Sequence, residues 1–234
     1  MSETLDVGGL HVVVRKSARR KTLGLTVERT GDVVLCAPSA ADPALLSKWA
    51  SRKLLWIHGR LAAREPLAAR QSQPEYVAGE SFGYLGRWYP LSLVTEQATP
   101  LVWDGSRFHL RRDAKPAALE HFRRWYVRNG KDWAEKRVRT LVGRVGVDLP
   151  DMRVRDLGYR WGSCAKSGTV FLNWKTLQLP VRLVDYVLVH ELAHDRVHNH
   201  GPAFRALLDR SMPDWKARRE ELDRSAASIY WCGP

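Results

Sequence analysis

The stretch Val187-Leu188-Val189-His190-Glu191-Leu192-Ala193-His194 decides how the rest of this chain is read. Two histidines four residues apart lie on one face of a helix, so both imidazoles can reach one ion. Glu191 stands beside the first of them and can contact a water on that ion without being a ligand itself. Val184, Val187, Leu188 and Leu192 supply the apolar face that buries the opposite side of the helix and orients the ligands. Pro180 marks the start, and the pattern predicts a helix from Val181 to about Val197.

A catalytic zinc takes three protein ligands and keeps one position open. Beyond His194 two histidines compete for the third place. His198 falls on the same face if the helix continues, whereas His200 requires the chain to turn back, which Asn199 and Gly201 permit. Geometry leaves the choice open. The spacing to His200 equals that of the metzincins, but Val197 stands where their glycine would be.

Outward from this centre, a helix is expected from near Pro202 through Leu208, and another after Pro213. Upstream, Thr169–Trp174 alternates like a strand reached through Lys166-Ser167-Gly168, and Met152–Leu157 reads as a second strand. Thr169–Trp174 is expected to form the sheet edge above the metal helix, where an extended peptide can add a strand. Pro116 opens a long helix to about Val145, striped by Leu119, Phe122, Tyr126, Trp133, Val138, Leu141 and Val142. From Glu75 to His109 short apolar stretches alternate with glycines, which reads as strands and turns. Pro43 begins a helical segment continuing towards Leu61. Before it, His11–Val14 and Leu23–Leu35 read as a β-hairpin region with a tight turn at Thr30-Gly31-Asp32. The expected fold is therefore α+β. A β-rich region with one helix over 1–113 precedes a domain over 114–234 in which the active-site helix packs on a small sheet. No internal repeat is visible.

The chain has 38 Lys+Arg against 25 Asp+Glu, a net charge of +13. Fifteen basic and seven acidic residues lie between Arg107 and Arg160, many of them on the long helix: Arg123, Arg124, Arg128, Lys131, Lys136, Arg137 and Arg139. Such a surplus favours polyanionic partners, DNA or another nucleic acid, through phosphate contacts. No DNA-reading signature accompanies it. Cys36, Cys164 and Cys232 are odd in number and far apart, and the opening residues lack a signal-peptide pattern. These features point to a cytoplasmic setting with free thiols, and no stretch has the apolar length of a membrane span. Cys164 is read as a packing residue, because a fourth protein ligand would close the metal site.

Arg160-Trp161-Gly162-Ser163-Cys164, Leu172-Asn173-Trp174, His190 to His194, and His198-Asn199-His200 followed by Phe204 resemble the YgjP-like predicted metallopeptidases. That family is related to the SprT, Spartan and WLM metallopeptidases. Lys16 to Leu25, Val33 to Pro38, and Tyr76 to Tyr89 with Leu85-Gly86-Arg87 resemble its amino-terminal portion, so the likeness spans nearly the whole chain. Arg205 follows Phe204 where the family usually has Trp. The resemblance implies a zincin-like carboxy-terminal domain, Zn2+ on His190, His194 and His200, and Glu191 as catalytic base. It selects His200 over His198 and implies a polypeptide substrate. Arg160 and Tyr159 are the candidates for a second donor to the developing oxyanion. Two rival readings are a non-catalytic, basic nucleic-acid-binding protein with a structural zinc, and a zinc hydrolase acting on a small amide.

Overall fold

The computed structural model describes residues 3–28, 32–62, 74–158, 160–225 and 229–231. It is a mixed α+β chain that divides into two compact units: Met1–Ser72 with Ala226–Pro234, and Gln73–Ser225.

In the first unit, β1 (Glu3–Val7), β2 (Leu10–Ser17), β3 (Gly24–Val27) and β4 (Val33–Pro38) form a sheet of order β1-β2-β4-β3. The alternation within them buries Val7, Val12, Val14, Val27, Val33 and Leu35. The expected hairpin region is realised as two hairpins, β1/β2 and β3/β4, joined by parallel pairing of β2 with β4. Thr30 and Gly31 of the expected turn lie outside the described residues. The single expected helix is two, α1 (Pro43–Ser51) and α2 (Leu54–Ala62). Asp42 caps α1 by accepting from the Ala44 N–H at 2.9 Å, with Pro43 beginning the first turn. Leu46, Ala50 and Ile57 complete this core.

The second unit opens with β5 (Ser81–Tyr84), β6 (Arg87–Val94), β7 (Leu101–Trp103) and β8 (Phe108–Arg111), in order β5-β6-β8-β7. Its antiparallel, parallel and antiparallel pairings repeat those of the first sheet in the same sequence. This topological repeat leaves no trace in the residues. A 3-10 turn, Arg112–Ala117, then leads into α3 (Ala118–Val145), which ends at Gly146 in the left-handed conformation (φ 75°). Its buried face comprises Phe122, Trp125, Tyr126, Ala134, Val138 and Leu141, whereas Leu119 of the expected stripe is exposed. Phe82 of β5 stacks on Phe122 at 4.2 Å between centroids, and Phe108 of β8 meets Trp125 edge-on at 4.8 Å. The second sheet thus shares the core of α3, and the units divide at Ser72/Gln73, well before the expected junction near Ala114.

A second sheet of this unit, order β10-β11-β9, is built from β9 (Met152–Arg155), β10 (Gly162–Cys164) and β11 (Val170–Asn173). After a 3-10 turn, Trp174–Gln178, come α4 (Val181–Arg196), α5 (Pro202–Ser211) and α6 (Trp215–Ser225). Leu177 of that turn packs against Gly130 of α3, where an added Cβ would meet its Cδ1 at 2.1 Å. α4 is packed by α3, α5, α6, β10 and β11. Ten of its sixteen residues are buried, which makes it the central strut of the unit. No helix among the described residues is long and apolar enough to cross a membrane.

A candidate metal centre

α4 carries His190, Glu191 and His194 within its last two turns. The helix stops at Arg196, because Val197 adopts an extended conformation (φ −136°, ψ 102°). His198 therefore leaves the helical face, and its Nδ1 turns back to the His194 carbonyl at 2.9 Å. Three residues on, the Gly201 N–H donates to Asn199 Oδ1 at 3.0 Å, and this turn returns His200 to the helix. His200 Nε2 lies 3.0 Å from His190 Nε2 and 3.1 Å from His194 Nε2. The three imidazoles form a group that can hold a metal ion.

The chemistry of this donor set fits a divalent cation. Nitrogens 2.0–2.1 Å from a tetrahedral ion stand roughly 3.3 Å apart, close to the spacing found. One Nε2 proton on His200 can serve only one of its two neighbours, whereas a cation uses all three lone pairs at once. His194 presents Nδ1 to the Val197 carbonyl at 3.1 Å, which directs its Nε2 lone pair to the cluster. His190 Nδ1 is buried with no hydrogen-bond partner among the described residues, so packing orients this ring. Phe204 of α5 supplies that packing, with centroids 5.0, 4.6 and 4.9 Å from His190, His194 and His200. Burial, then the neighbouring His194, His200 and Arg219, push His190 down to about 3. Burial also lowers His194 and His200. The rings thus stay neutral, as ligation requires.

Glu191 is buried, with its side chain against β10. Burial pushes its carboxyl up to about 7, opposed by the Cys164 backbone N–H and the charge of Arg160. A cation on the adjacent histidines would favour the carboxylate. The segment before β10 is latched by the wholly buried Asn173. Its amide donates to the Gly158 carbonyl at 3.1 Å and the Arg160 carbonyl at 2.7 Å, and its oxygen accepts from the Lys175 N–H at 3.2 Å. The structure thus brings Arg160 within electrostatic reach of Glu191, while Tyr159 lies outside the described residues.

One expectation is corrected. Val170–Asn173 is not the sheet edge: β11 pairs with β10 on one side and β9 on the other, so its backbone groups are used. The edge beside α4 is β10. Cys164, in β10, is half-buried, its thiol held up by burial, Glu191 and Asp195, and it is not in the metal group. Cys232 lies outside the described residues. Tyr186 and Arg219 escaped the sequence reading. Tyr186 stands one turn before His190 with its ring edge-on at 5.9 Å, and burial pushes its hydroxyl up to about 12. Its i−4 spacing from His190 was the available signal, whereas Arg219 on α6 gave none. On the basic face of α3, Arg123 and Arg124 pair with Glu120, Lys131 with Glu135 and Arg137 with Asp185. Part of that positive surface is therefore neutralised from within.

Three converging imidazoles with a buried carboxylate next to them are the makings of a metal-dependent peptidase centre. The chain belongs to the YgjP-like family: residues 21–225 match "YgjP-like, metallopeptidase domain". Among solved structures, the metallopeptidase zymogen of Pyrococcus abyssi abylysin is similar over 36% of this chain and 87% of that one, at 23% identity and a TM-score of 0.34. Among curated proteins, none matches.

Proposed function

We propose that this metallopeptidase binds zinc through His190, His194 and His200 and hydrolyses peptide bonds with Glu191 as general base, on a zincin-like arrangement of α4 beneath β10. The observation that carries the reading is the convergence of three Nε2 atoms beside a buried glutamate on one helix. A bound zinc ion acidifies a coordinated water towards about pH 7 and polarises a peptide carbonyl. Glu191 accepts the proton released as water attacks the carbonyl carbon and delivers a proton to the leaving amine. Arg160 acts as a second donor to the charge developing on the carbonyl oxygen, with Tyr159 as its alternative and Tyr186 as a third candidate. An extended substrate lies along the outer edge of β10, on the side where Gly162 and Cys164 present their backbone groups.

The test is wild type against Glu191→Gln, measured for bound metal and for cleavage of casein with and without single-stranded DNA. One zinc per chain in both, with activity down roughly 10²–10⁴-fold in the variant, is expected for a lost general base. Full activity in purified Glu191→Gln sinks the assignment, and absence of zinc from wild type sinks the metal reading. Steeply salt-dependent DNA binding without cleavage favours the rival basic, non-catalytic protein, for which the charge of +13 is the supporting observation.

A further inference from the structure

We propose that Gly162 is a positioning residue for Glu191: by carrying no side chain, it leaves the one space in which the glutamate can extend between β10 and α4. The inference rests on the reading of Glu191 as base. Gly162 pairs with Leu172 in an antiparallel ladder, so its backbone conformation is one that any residue adopts. Its identity is therefore not explained by the turn chemistry that usually selects glycine. The explanation is steric. A Cβ built on Gly162 would lie 2.7 Å from Glu191 Cγ, 3.0 Å from Glu191 Oε1 and 3.0 Å from Val187 Cγ1. All three atoms belong to α4 residues that are themselves buried.

Such a contact has few ways to relax. β10 is fixed to β11 by its ladder, and Asn173 anchors the chain leading into it. α4 is packed on several sides and holds two of the three imidazoles, so sliding the helix would disturb them too. Rotation of the glutamate side chain is the least costly response. It carries the carboxylate away from the Cys164 N–H, two residues along the same strand, which is directed at it. Gly162 and the Cys164 N–H thus form a seat on β10, one by giving way and the other by donating. A methyl at position 162 spoils the base while leaving the imidazoles in place.

The test uses the full chain and four proteins: wild type, Gly162→Ala, Glu191→Ala and the double variant. Bound zinc, thermal midpoint, kcat and KM on a fluorogenic casein peptide are measured. Gly162→Ala should keep one zinc per chain and hold KM within a few-fold, while kcat falls roughly ten- to a hundredfold, as a misplaced catalytic group does. Its loss of thermal midpoint should shrink by at least about half when Glu191 is Ala, because the space vacated by the glutamate accepts the methyl. If Gly162→Ala does not fold but the double variant does, the steric coupling is upheld. Unchanged kcat in Gly162→Ala overturns the proposal, as does an equal loss of midpoint in both backgrounds or failure of both to fold. The midpoint comparison needs no turnover, so it separates this proposal from the assignment of Glu191 as base, which Glu191→Gln tests alone.

Discussion

Arg137→Met should be among the most destabilising single changes on the surface of the second unit, yet it should leave catalysis intact. Arg137 of α3 places Nε and Nη2 each 2.6 Å from a different carboxylate oxygen of Asp185 on α4. The Asp185 side chain is 9% exposed and that of Arg137 36%. Removing one partner of a buried pair strands the other charge, at a cost of roughly 3–5 kcal/mol. Water reaching past the half-exposed guanidinium screens the carboxylate, which lowers the figure to about 2–3 kcal/mol. In a unit of this size 1 kcal/mol moves the midpoint by about 2–4 °C. Circular dichroism should then show a fall of roughly 5–10 °C. Replacing both residues, with Met at 137 and Leu at 185, should recover most of it, since no lone charge remains. Asp185 lies more than one turn before His190 and faces α3, so kcat/KM at 25 °C should stay within about twofold. A fall of less than about 2 °C, or a loss of kcat/KM with an unchanged midpoint, would refute the reasoning.

Phe204→Ala should cost about 3–5 kcal/mol as a cavity and weaken zinc retention about tenfold or more in chelator competition, because this ring packs on all three imidazoles. Unaltered retention would show that the rings are oriented without it. Asn173→Asp replaces two donated hydrogen bonds by a carboxylate facing two carbonyl oxygens. It should lower both the thermal midpoint and kcat, and a variant as stable and active as wild type would argue against the latch. In chelated Glu191→Gln, which removes the opposite slope of a carboxyl raised to about 7, His190 is held at about 3 against an ordinary 6.5. Between those values the unfolded chain binds a proton that the folded chain does not, so stability present at pH 7 is lost as pH falls. The slope from His190 is up to about 1.4 kcal/mol per pH unit, with smaller additions from the more exposed His194 and His200. A chelated midpoint that stays flat from pH 7 to 5 would contradict this.

How far the sequence could be read differed from place to place for physical reasons. Val181–Arg196 was legible because an apolar face and two histidines share the 3.6-residue period, and the helix that forms ends one residue from expectation. The long helix was legible for the same reason, although its first turn is 3-10 through Pro116. The choice between His198 and His200 was not, since it depends on where the helix stops, and Val197 signals that only weakly. The position of β10 was also hidden. Three residues, Gly162-Ser163-Cys164, are too short for periodicity to register. The unit boundary was missed because aromatic contacts between strands and α3 cross the point where composition changes.

The shortness of β10 also limits how a peptide can be gripped. Three residues of strand span about 10 Å. Only alternate residues of an edge strand point their N–H and C=O outward, so an incoming chain finds backbone partners over a very small footprint. Pairing of that extent gives shallow affinity and little discrimination between sequences. For a peptide held as proposed, such an edge supplies little ground-state grip, and most of the interaction is left to the moment of bond cleavage.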